Sequence, residues 1–160
     1  MSDQADSHVT DHAGVRLPPP LIYIAIFGIG LLLQHLAPLP FLPPLPARVV
    51  AVALLGCYAL LFGWSYRLFR RTHNSLVTIR PAAELVVSGP YRFTRNPMYL
   101  SLVCLYGALA CWFGVTWALL LVPILVLVVQ HVVIAREESY LERRFGEAYR
   151  QYRARVRRWI

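Results

Sequence analysis

Two short polar clusters interrupt an otherwise apolar sequence, and both have the residue types for chemistry. The first is "GPYRFTRNPMY", residues 89–99, which stands directly before an apolar run. The second is "REES", residues 136–139, which ends another. In the first, Asn96 followed by Pro97 marks a helix start, since Asn suits the N-cap and Pro is pre-shaped for the first helical position. A helix start presents unpaired N–H groups and a partial positive charge. With the Arg95 guanidinium beside it, such a place suits a carboxylate or a phosphate. Tyr91 and Tyr99 add flat faces for a ring or a cation, and Gly89-Pro90 lets the backbone turn sharply toward them. The bland alternative is that these residues only cap a helix.

In the second cluster, Arg136, Glu137 and Glu138 lie where an apolar helix meets water. Adjacent carboxylates point about 100° apart on a helix, so one can face inward while the other faces solvent. On a regular α-helix His131, Ala135, Glu138 and Glu142 share one face. The alternative here is a solvated helix exit held by ion pairs four residues apart. Neither cluster has the spacing of a metal site.

The elements that position these clusters follow from composition. The chain has 160 residues, 58% of them hydrophobic and only 15% charged, with a mean hydropathy of +0.51. That places it in the membrane class. Four apolar segments stand out, at about Pro19–Leu36, Ala47–Phe69, Pro97–Phe113 and Val115–Ala135. Crossing a bilayer takes about 20 residues, and backbone groups in lipid must bond internally, so all four are expected as helices. The connection at residues 37–48 is too rich in proline to be helical throughout. "WFGVTW", residues 112–117, reads as a tight turn, and Pro123 as a kink in the fourth helix. Residues 136–160 continue that helix as an amphipathic element, with Leu141, Phe145, Ala148, Tyr149 and Tyr152 on one face and a break at Gly146. Residues 1–17 read as a disordered tail without the basic start of a signal peptide. The remainder, 18–160, forms one domain.

All 16 basic residues are Arg, and the formal net charge is +8. Most lie between the second and third segments or after the fourth. The positive-inside rule then places both termini on the cytoplasmic side, and a bacterial inner membrane is the expected location. This placement accounts for the charge through topology and anionic lipid, and it argues against nucleic acid. Cys57, Cys104 and Cys111 lie in apolar stretches without a CxxC pair, so they read as buried apolar residues rather than as a disulfide or zinc site.

"GPYRFTRNPMYL", followed a helical hairpin later by "REESYLERRFGEAYRQY", resembles the isoprenylcysteine carboxyl methyltransferases and the related phospholipid N-methyltransferases. The resemblance covers about residues 76–158. It implies an all-α integral membrane bundle of about four spans with a cytoplasmic C-terminal helix. It also implies S-adenosylmethionine as cofactor, no metal, and a lipophilic acceptor, either an isoprenylcysteine-like carboxylate or a phospholipid amine. Gly89, Tyr91, Arg95, Asn96, Pro97 and Tyr99 would form one side of the cofactor pocket, and Arg136, Glu137 and Glu138 the other. Arg136 and Glu138 would serve catalysis; an amine acceptor would have to lose a proton, to solvent or to Glu138, whereas a carboxylate would need no base. The chain has no Gly-rich strand-to-helix loop, which agrees with a site outside the Rossmann class. It departs from the carboxyl methyltransferase pattern in carrying Asn96 where His is usual, and Val133 where a further Arg is usual. Two other readings remain open: a nicotinamide-dependent membrane reductase of the sterol-reductase type, and a non-enzymatic membrane protein.

Overall fold

The computed structural model describes residues 18–71 and 84–160. The N-terminal tail expected at residues 1–17, and residues 72–83 of the connection between the second and third segments, lie outside the described residues. Among the described residues the structure is all-helical. Helix α1 spans Pro19–Leu36 and α2 spans Pro44–Arg71. A single 3-10 turn at Gly89–Arg92 precedes α3, Pro97–Phe113. Beyond it lie α4 (Thr116–Leu120), α5 (Val122–Val129), a π-helical turn at Gln130–Ile134, α6 (Ala135–Phe145) and α7 (Glu147–Arg155).

The helix starts follow local sterics. Pro19 and Pro97 occupy first-turn positions, where a missing N–H leaves no bond unmade. Helix α3 stops at Gly114, which takes φ 66° in the left-handed region that favours glycine. The expected turn comes next, closed by Val115 N–H donating to Ala110 O at 2.9 Å. The Pro-rich connection is pinned from the side: Trp117 Nε1 donates to Ala37 O and Thr116 Oγ1 to Pro40 O. Those bonds satisfy carbonyls that no helix claims.

Two helices, α1 and α2, are long and apolar enough to cross a membrane. Helix α3 is apolar and slightly shorter. The expected fourth span is not one regular helix. It divides at Leu121, just before Pro123, because a proline in the first turn of α5 cannot donate back into α4. Only Ala47, Ala51 and Ser65 of α2 are buried, while Val49, Val52 and Leu60 face outward. An apolar helix that hides only its small residues is suited to lipid on one side and close packing on the other. Helix α3 packs against α2, where Gly107 lets the Leu54 side chain approach closely, and it buries Ser101, Ala108 and Cys111 as well. Gly30 of α1 lies so close to Ala118 of α4 that a Cβ there would sit 2.9 Å from its Cα. The core beneath is Ile22, Ile26, Tyr106, Leu125, Val129, Val133 and Ile134. Of the three cysteines only Cys111 is buried; Cys57 projects outward from α2.

Candidate functional site

The first cluster is shaped by Gly89. Its φ of +60° suits glycine, and a Cβ would lie 2.9 Å from the Trp64 indole nitrogen. The tight turn after it buries Pro90 and Tyr91. The Tyr91 ring packs against Phe69, and its carbonyl accepts a bond from Tyr152 Oη at 2.8 Å. Asn96 takes the expected position before α3, and its carbonyl accepts the first helical bond from Leu100 N–H. Its side chain does not cap the helix. The amide Nδ2 instead donates to Arg158 O at 2.9 Å, because residues 156–160 run back across this end of α3 and present a carbonyl there.

Arg95 points into the fold, with 10% of its side chain exposed. One nitrogen, Nη2, lies 3.3 Å from Glu138 Oε1. The other two, Nε and Nη1, are buried without a partner. Glu138 is buried and is gripped from the far side by Arg158. Nε meets Oε1 at 3.1 Å and Nη2 meets Oε2 at 2.6 Å. Glu137 has a different neighbour, accepting a 2.6 Å bond from Tyr99 Oη. The Tyr99 carbonyl in turn accepts from Tyr23 Oη, which ties α1 to the site.

These surroundings set the charges. Burial pushes the Glu137 carboxyl up to about 7; the Tyr99 bond opposes this and the neighbouring Glu138 adds to it. Burial also raises the Tyr91, Tyr149 and Tyr152 phenols above their usual range, so they are neutral hydrogen-bonding groups at physiological pH. The bond to Glu138 raises Arg158, which stays charged.

The groups meet at a cavity of about 330 Å³. Its polar wall is Arg95, Asn96, Glu137, Glu138 and the rings of Tyr91, Tyr99 and Tyr149. Its apolar wall is Pro19, Pro20, Phe62, Phe69, Met98, Leu102 and Leu141. The cavity thus lies where α1 begins, α2 ends and α3 and α6 begin. Six of the residues expected from sequence line it: Tyr91, Arg95, Asn96, Tyr99, Glu137 and Glu138. Gly89 and Pro97 stand behind the wall and shape its backbone. Arg136 is exposed and does not line the cavity.

Arg136 and Glu138 lie about 200° apart around α6, so with Glu138 turned inward Arg136 faces out. A π turn widens the helix locally and rotates the residues downstream of it by roughly a quarter turn. His131 and Glu138 therefore do not share a face. His131 is exposed and bonds only its own helix through Leu127 O, while Glu138 is buried. Sequence reasoning also misses Arg158, which groups with the other C-terminal arginines as surface charge. Tyr149 is legible through its spacing on the amphipathic face, though its place at the cavity is not. Among the described residues, no group of three His, Cys, Asp or Glu is arranged to hold a metal ion.

A family model described as phospholipid methyltransferase matches residues 46–148. That stretch is more than half of the chain and contains both polar clusters. A protein from Haemophilus influenzae, described only as uncharacterised, is 49% identical over 63 residues; the match covers 39% of this chain and all of that protein. No solved structure matches.

Proposed function

Since the chain belongs to the phospholipid methyltransferase family, we propose that it moves a methyl group from S-adenosylmethionine to a lipophilic acceptor at a membrane surface. The observation that carries this reading is Arg95. Arg95 lines the cavity, and a guanidinium nine-tenths buried, with Nε and Nη1 lacking a hydrogen-bond partner in the fold, is suited to an anion. The opposite charge is at hand in Glu137, and the tyrosine rings offer flat faces. The cofactor's carboxylate, ammonium and adenine find matching groups in this set.

When bound, S-adenosylmethionine supplies an electrophilic methyl group on a sulfonium whose departure leaves a neutral thioether. The protein's share is alignment and exclusion of water. Arg95 holds the carboxylate. Glu137 holds the ammonium or a ribose hydroxyl, and Tyr91 and Tyr149 flank the ring. The apolar wall receives the acceptor's chain. A carboxylate acceptor attacks without a base. An amine acceptor must first lose a proton, and solvent takes it, since Glu137 is engaged with the cofactor. Glu138 is committed to two arginines.

Four spans with both termini on the cytoplasmic side complete the reading. The pieces from α4 through the π turn serve as the fourth span. The cofactor then enters from water, and the acceptor enters from lipid near Pro19, Pro20 and Phe62. The test is transfer of labelled methyl by the purified protein to a total lipid extract. Base-stable label in a phospholipid supports N-methylation, and base-labile label indicates an ester. Cofactor binding without transfer to any lipid would count against the acceptor class. Binding of a nicotinamide in place of S-adenosylmethionine would favour a reductase.

A further inference from the structure

The matched family region ends at residue 148, yet the chain returns to the site after it. At Val156 the backbone leaves α7 in an extended conformation, φ −120° and ψ 131°. Arg95 N–H then donates to Arg157 O at 2.9 Å. Thr94 Oγ1 and Asn96 Nδ2 both donate to Arg158 O, at 3.1 and 2.9 Å. Trp159 Nε1 donates to Gln130 Oε1 at 3.0 Å, and its ring packs on the core. The segment is a strap anchored at the start of α3 on one side and at the π turn on the other.

Between those anchors the Arg158 side chain meets Glu138. It does not line the cavity, so it is not placed to touch a ligand there. Its effect passes through Glu138. A buried carboxylate beside a guanidinium closes into a two-bond pair when both its oxygens are available. Here they are not available. Arg158 holds both, with the shorter bond, 2.6 Å, on Oε2. Glu138 therefore reaches Arg95 through Oε1 alone, at 3.3 Å, and Arg95 keeps Nε and Nη1 without a hydrogen-bonded partner, with the Tyr149 side chain as their neighbour.

We propose that Arg158 is a positioning residue: by engaging both oxygens of Glu138, it keeps Arg95 open to the carboxylate of the cofactor. The C-terminal strap is the element that delivers it. This inference rests on the cofactor reading above, and it assigns a role to a segment beyond the matched region.

Two ligands that differ only in the carboxylate test it: S-adenosylhomocysteine and its decarboxylated counterpart. Binding is measured by titration calorimetry on the full-length protein in detergent. Arg158→Gln should weaken S-adenosylhomocysteine about tenfold to a hundredfold and leave the decarboxylated ligand nearly unchanged. Arg158→Lys keeps the charge with fewer bonds, so it should lie between wild type and Arg158→Gln; it also serves if Arg158→Gln does not fold. Equal losses for both ligands would reduce Arg158 to a structural strap residue, and no loss for either would remove its role altogether. Both results overturn the inference while leaving the cofactor reading standing. A wild-type protein that binds neither ligand overturns the cofactor reading, and the inference with it.

Discussion

Arg95 and Glu138 form a half-closed ion pair: one guanidinium nitrogen lies 3.3 Å from one carboxylate oxygen, and the remaining two nitrogens are buried and unused. Burying a guanidinium without filling its bonds is unfavourable. The arrangement is explained if a ligand completes it. Arg95→Ala should therefore weaken S-adenosylhomocysteine binding by about 1.5–3 kcal/mol, roughly tenfold to a hundredfold. Thermal stability should fall little, because the variant also removes a buried charge with unmet bonds. Calorimetry and unfolding in detergent check the two halves; unchanged affinity would reduce Arg95 to packing.

Glu137 makes stability depend on pH. Its carboxyl titrates near 7 in the fold, against the ordinary value of 4.5. The folded chain thus holds this proton more tightly than the unfolded chain does. Its contribution to stability is complete below about pH 4.5, declines as pH rises to about 7, and is constant above that. Other carboxylates add slopes of their own, so the readout is the difference between wild type and Glu137→Gln across the series. That difference should change between pH 4.5 and 7 and be flat above. Tyr99→Phe removes the bond that lowers this value, so it should shift the upper end of the window to higher pH.

Cofactor affinity should follow the same group. Binding a cationic ligand favours ionised Glu137, so affinity for S-adenosylmethionine should rise from pH 6 to pH 8. Glu137→Gln should flatten that rise and lower the plateau. A profile that keeps its rise in the variant would assign the dependence to another group.

Gly89 carries both a backbone and a space requirement. Gly89→Ala forces a positive φ on an L side chain and sets a methyl group 2.9 Å from Trp64 Nε1. The expected loss is about 1–3 kcal/mol, seen as a lower unfolding midpoint. Adding Trp64→Ala should relieve the clash and leave the backbone strain, so it should recover only part. Full recovery would assign the whole effect to packing.

Orientation can be read by labelling. With Cys57, Cys104 and Cys111 replaced, single cysteines at Leu42 and at Val87 should react with impermeant reagent from opposite sides of the membrane. Val87 should be the cytoplasmic one, given the arginines around it. Reaction of both from the same side would rule out an intervening span.

Local physics was legible in the sequence. Pro19 and Pro97 start helices and Gly114 and Gly146 end them, because a fixed φ, a missing donor or a positive φ acts within one or two residues. The two polar clusters were readable in the same way, since each borders an apolar run; their meeting across a hairpin was implied only by the resemblance of the two motifs to a known family. What lay beyond the sequence depends on longer range. The π turn at Gln130–Ile134 leaves no mark in residue types, yet it separates the face of buried Glu138 from that of exposed His131. Arg158 looks like its exposed neighbours Arg153, Arg155 and Arg157 until the strap folds back. Its pairing with Glu138, and Asn96's bond to its carbonyl, span 20 and 62 residues. Contacts at that separation are set by how α3, α6 and α7 pack, and no local preference of an arginine encodes them.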